Sequence, residues 1–219
     1  MFHTFIRSNF AQALQLARGD LRDPARPIDD ERMIDAVRDP NRQDRVVLVL
    51  RWLAKYKLLR LRGPDVKENV AQAALACLDG LPRTFHGHSI IEYALQLERA
   101  CAVRLPRKKN GEERSEPSLA SKLLWCKYPT LVPIYDSHAV RAILVLSKLM
   151  EVPRPVVGDS EYARFVDAWN AIYDQVETLI TQANDGRYPH KVRLFDKLLW
   201  ILGEREYGSR NLRLPVAAE

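Results

Sequence analysis

Residues 115–141 read SEPSLASKLLWCKYPTLVPIYDSHAVR, a helix, a proline-bounded turn, and then a lone carboxylate at the mouth of a second helix. Ser115 is placed to cap the first helix, with Glu116 and Pro117 in a first turn that welcomes negative charge and needs no extra amide donors. Leu119, Ala120, Leu123, Leu124 and Cys126 then follow at helical spacing. Pro129 and Pro133 end that helix and hold the connection extended, because proline lacks the amide and moves its predecessor out of the α region. Ala139, Val140, Ile143, Leu144 and Leu146 mark a second, largely buried helix that begins at Asp136. Two compatible readings of Asp136 follow. It is a helix N-cap, and it is a carboxylate held by a rigid helix end, able to stabilise developing positive charge or to take a proton.

Working outward, nearly every segment between punctuation marks carries a helical period. The pattern predicts helices over 10–18 (closed by Gly19), 28–37, 41–56, 64–78, 85–103 (capped by Ser89), 160–183 and 190–206, with proline-bearing loops around Pro24, Pro27 and residues 152–158. Alternating strand patterns and internal repeats are absent from the sequence, so the fold class is all-α. The stretch from Pro106 to Ser115 is the one strongly charged linker, with Arg107, Lys108, Lys109, Asn110, Gly111 and Arg114. Such runs are ordinarily solvated loops, but this one leads straight into the helix before Asp136, where a hairpin can face phosphate.

The bulk numbers narrow the class. At 219 residues, with 47% hydrophobic and 28% charged content, the chain can bury a core without staples. It has no apolar run near the ~18 residues of a membrane span, and its opening MFHTFIRSNF lacks the basic and apolar order of a secretory signal; a cytoplasmic monomer is expected. Cys77, Cys101 and Cys126 lie far apart in apolar patterns and read as buried thiols. No His or Cys spacing points to a metal, and no cofactor is expected. A net charge of +6 favours an anionic partner, nucleic acid being the commonest.

The segment SLASKLLWCKYPTLVPIYDSHAVR resembles the core of the helix-hairpin-helix DNA glycosylases, in which a hairpin and its second helix lead to a catalytic aspartate followed by a histidine, a valine and a basic residue; Asp136, His138, Val140 and Arg141 stand in that pattern. It is most similar to a divergent bacterial branch with the 8-oxoguanine glycosylase fold, which also carries a late D-x-x-L-W-x-x-G element, matched by Asp196, Leu199, Trp200 and Gly203. The resemblance covers roughly a quarter of the chain. It implies a two-lobed, helix-hairpin-helix glycosylase-like bundle over residues 1–219, with a DNA-binding cleft and its hairpin and catalytic segment at about 104–145.

The partner it implies is double-stranded DNA carrying a modified base, and the reaction is base flipping with cleavage of the N-glycosidic bond. In phage-defence members of that branch the base would be a bulky modified cytosine such as glucosylated hydroxymethylcytosine; 8-oxoguanine repair, with or without lyase activity, is the alternative. Asp136 is the implied catalytic carboxylate. The family's lysine nucleophile falls near Ser118, where this chain has none, and Lys122 lies one turn along on the same face. Lys122 is therefore read as the nucleophile if it is desolvated, and otherwise as a solvated or ion-paired lysine. Tyr135, His138, Trp125, Tyr128 and Ser118 are the candidate substrate contacts, Trp125 doubling as a core candidate. Arg107, Lys108, Lys109 and Arg141 are the candidate DNA contacts. The glycine hairpin that normally anchors a phosphate is absent, which leaves open a non-catalytic DNA-binding module or a helical protein-interaction domain.

Overall fold

The computed structural model describes residues 2–21, 29–59, 62–84, 90–150 and 160–208, and within them it is all-helical, with no strand. The helices are α1 (Phe2–Leu21), α2 (Asp30–Arg38), α3 (Arg45–Lys55), α4 (Pro64–Gly80), α5 (Ile90–Ala102), α6 (Pro117–Lys127), α7 (Ser137–Leu149), α8 (Glu161–Asn184) and α9 (Lys191–Gly208). The expected cap Ser89 and the loops over 22–28 and 152–158 lie outside the described residues.

Three boundaries depart from the sequence reading, each for a local reason. α1 extends on both sides of 10–18 because Ile6 continues the buried stripe of Phe10, Ala13, Leu14 and Ala17. It also runs through Gly19, because Asp20 just beyond is tied to Lys55, Arg193 and Lys197; those ion pairs outweigh the roughly 1 kcal/mol that a helical glycine costs. α3 begins at Arg45 rather than Asn41. The buried Arg45 guanidinium closes the preceding turn on the Ala36 carbonyl (2.7 Å) and grips Asp79 with two bonds (2.6 and 2.8 Å). α6 has Glu116 at its cap position with no side-chain cap bond, and Ser115, one residue too early, donates instead to Glu98. Asp29, Asp136 and Ser160 do cap α2, α7 and α8, through the amides of Arg32, His138 and Ala163.

Helices α2 to α6 pack on one another, and α1, α7, α8 and α9 pack on one another, with α1·α2 and α5·α8 joining the two sets. α6 is the central element: every residue from Leu119 to Cys126 is buried, including the polar Ser121 and Lys122. α7 packs most extensively on α9. The turn between α6 and α7 therefore crosses from one set of helices to the other.

Candidate functional site

Pro129 and Pro133 bar helix from the α6–α7 connection, so its backbone groups need partners from elsewhere. Side chains of three helices supply them. The Tyr162 hydroxyl of α8 donates to the Pro133 carbonyl (2.9 Å), and Asp196 of α9 accepts the Ile134 amide (3.3 Å). Ser121 of α6 accepts the Tyr135 amide (3.0 Å), and Lys122 donates to the Tyr135 carbonyl (3.3 Å). Asp196 is itself held by the Trp169 indole (3.0 Å). A short irregular segment tethered at four main-chain groups of three successive residues is a preorganised one.

That segment delivers Asp136. Its Oδ1 accepts the His138 amide at 2.9 Å, and its Oδ2 faces Lys122 Nζ at 3.4 Å. Lys122 Nζ also donates to Ser118 Oγ (2.8 Å). The Lys122 side chain is 6% exposed and that of Asp136 28%, so the carboxylate stands between the amine and solvent. Burial and the nearby Arg193 push the Lys122 amine below its ordinary value, against the opposing pull of Asp136. Burial would raise the Asp136 carboxyl, but the Lys122 charge and the His138 amide outweigh it and hold it low. The pair thus combines an ionised carboxylate with a desolvated amine.

A cavity of about 80 Å³ opens beside the pair, lined among others by Tyr56, Asp136, Lys197 and Trp200. Asp196 lies on its wall, where full burial drives its carboxyl up to about 7 despite Arg193 and its two N–H donors. Behind the cavity, Asp30 is fully buried and accepts from Trp52, Tyr56 and Arg193.

Of the residues singled out from sequence, Ser118, Lys122, Tyr135 and Asp136 are brought together. His138 is adjacent, its ring tilted against Trp200 at 5.4 Å between centroids. Tyr135 turns its ring onto Tyr162 and Phe165 and donates its hydroxyl to Glu161. Trp125 and Tyr128 correct the expectation of an aromatic pocket at Asp136. Trp125 is fully buried under the Arg193 guanidinium, and Tyr128 is buried against Tyr93 with its hydroxyl on the Pro82 carbonyl. Both sit on α6 or its end, where every face is covered, so their rings fill the core.

Arg107, Lys108 and Lys109 lie exposed at a small hairpin. The Lys108 amide meets the Glu112 carbonyl (2.8 Å), and Gly111 takes a φ of +83° that only glycine adopts without strain. Lys108 is partly neutralised by Glu112 (3.2 Å), and Arg141 lies half-buried on α7. Sequence reasoning missed the tethers Ser121 and Tyr162 and the cavity residues Tyr56, Arg193 and Lys197. The polar Ser121 inside an apolar helix was a usable signal; Tyr56 had none. Among the described residues no group of three or more His, Cys, Asp or Glu converges, and no helix is long and apolar enough to cross a membrane.

No protein-family model matches the chain, and neither a curated protein nor a solved structure does.

Proposed function

We propose that the protein is a DNA glycosylase that extrudes a modified base from duplex DNA and breaks its N-glycosidic bond at the Lys122–Asp136 pair. The observation that carries the reading is the buried Lys122 amine at 3.4 Å from an Asp136 carboxylate that caps a helix and ends a four-point-tethered turn. The resemblance of this segment to a glycosylase core, and the net charge of +6, support the same reading.

Extrusion costs a few kcal/mol, which contacts to the displaced base offset. As the bond to the base lengthens, C1′ gains positive charge, and an ionised carboxylate in a site of low dielectric stabilises it. Asp136 is held ionised for that role. Lys122, with its proton affinity lowered by burial, supplies an amine that adds at C1′; rising pH increases its neutral fraction and speeds this route. Where water adds instead, the product is a plain abasic site. Arg107, Lys109 and Arg141 are the proposed phosphate contacts.

The test uses duplexes with a single glucosylated hydroxymethylcytosine or a single 8-oxoguanine. Strand breakage after alkali, lost in Asp136→Asn with DNA binding retained, is expected. A borohydride-trapped adduct lost in Lys122→Met identifies the amine route. Salt-dependent binding without breakage on either duplex overturns the enzyme in favour of a DNA-binding module.

A further inference from the structure

The cavity beside Lys122 and Asp136 has a second amine on its wall. Lys197 projects from α9 into the same space, 13% exposed, and it belongs to a charged cluster whose members come from four helices. Asp20 of α1 accepts a hydrogen bond from Lys197, and it also faces Lys55 of α3 and Arg193 of α9, each at 3.5 Å. Asp30 of α2 faces Lys55 at 3.5 Å and Arg193 at 3.3 Å. Lys55, Arg193 and Lys197 thus share the carboxylates of Asp20 and Asp30, and Asp196 on the cavity wall also acts on Arg193 and Lys197.

An ammonium has three protons, and the hydrogen bond to Asp20 engages one of them. Lys122 and Asp136, the groups proposed to act at the sugar, line the same cavity. A base whose sugar bond lies at Asp136 would enter the space that Lys197 also lines.

Resting on the glycosylase reading, we propose that Lys197 is a second catalytic residue, the proton donor to the departing base. The bond between C1′ and the ring nitrogen breaks, its electron pair goes to the base, and a Lys197 proton moves to a ring nitrogen or carbonyl oxygen of that base. Lys197 is left as a neutral amine, still beside Asp20, and is reprotonated from solvent after the base leaves. Asp136 balances charge at the sugar while Lys197 balances it at the leaving group.

The ionisation of the group fits the task. Burial and the like charge of Arg193 bring the Lys197 amine down to about 8, against the pull of Asp20 and Asp30. A donor near the working pH is the efficient one. The other titratable groups facing this space are Arg193, which is paired with Asp20 and Asp30, and Lys122, Asp136, Tyr56 and Asp196. Of these Lys122 and Asp136 are committed at the sugar, the Tyr56 hydroxyl donates to Asp30, and Asp196 already accepts from Trp169 and Ile134.

Single-turnover excision is measured on duplexes carrying glucosylated hydroxymethylcytosine or 8-oxoguanine, and on a fluorinated analogue of whichever base is removed, which leaves more easily. Lys197→Arg keeps the charge and the Asp20 pair but cannot give up its proton near neutrality. It is expected to slow the parent base by about a hundredfold or more, to slow the fluorinated base only severalfold, and to lose the falling limb above about pH 8 that a Lys197 proton donor should add to the wild-type profile, whose rising limb comes from Lys122. Lys197→Met, which also unpairs Asp20, should show the same contrast between the two bases if it folds. Equal slowing of both bases by Lys197→Arg, or none, overturns the proton donor while leaving the glycosylase standing. A wild-type protein that excises neither base overturns the glycosylase reading and the donor with it.

Discussion

Gly203 on α9 lies directly against the His138 carbonyl on α7, so close that a Cβ at Gly203 would overlap that carbonyl and its carbon. His138 is also the residue whose amide Asp136 caps. The contact of two main chains, one glycine deep, therefore sets the height of the helix end that presents Asp136. Gly203→Ala has no flexible side chain to push aside and must shift α7 or α9. Overpacking of this kind costs about 1–3 kcal/mol, and at this chain length each kcal/mol lowers Tm by about 2–4 °C. Calorimetry checks the loss, and the same variant should lose activity out of proportion to its folded fraction.

The tethers of the turn make a local prediction. Ser121→Ala leaves the part-buried Tyr135 amide without its acceptor, a cost of about 1 kcal/mol. Amide hydrogen exchange should accelerate at Tyr135 and Ile134 while the centre of α8 remains protected. Exchange that speeds equally everywhere would mean global destabilisation rather than a released turn.

Asp136 has two separable roles. Asparagine preserves a helix cap and alanine does not, so Asp136→Ala should be less stable than Asp136→Asn by about 1 kcal/mol. Chemical denaturation of the two variants measures the difference. Both should lose the chemistry, because both remove the charge beside Lys122.

The pH dependence of stability should carry the mark of Asp196. Its carboxyl sits at about 7 in the folded protein against an ordinary 3.8, so the folded state prefers it protonated. Its contribution is complete below about pH 4 and is lost as pH rises toward and through about 7. Asp20 runs the other way: held at about 2, it adds stability above pH 4 that disappears as pH falls through about 2. In Asp196→Asn, urea titrations between pH 4 and 8 should show a flatter profile than the wild type, whatever the offset caused by its altered bonds to Ile134 and Trp169.

Arg107→Ala and Lys109→Ala should weaken binding to any duplex and lower the slope of log affinity against log salt by about one each if each neutralises a phosphate. Fluorescence anisotropy over a salt series measures this. Lys108→Ala should do less, since Glu112 already pairs with Lys108.

Much of this is legible in the sequence alone. Helical periods gave the all-α class, and Pro129, Pro133 and the cap chemistry of Asp136 placed the turn where it is found, because these are preferences of a residue and its near neighbours. Lys122 was harder. One turn from Ser118, it reads first as a solvated or ion-paired lysine and second as a desolvated one, and only the packing of α6 decides for burial. Tyr128 misled for the same reason, and Trp125 took the core reading, since aromatic rings near Asp136 in sequence face whatever their helix packs against. Tyr56, Arg193, Asp196 and Lys197 reach the site from α3 and α9, and no local pattern joins them to Asp136. What the sequence by itself determined was the helices and the residue at the mouth of α7, through local backbone chemistry. The tertiary structure alone decided which charges share one small cavity, because burial and ion pairing depend on contacts between segments far apart in the chain.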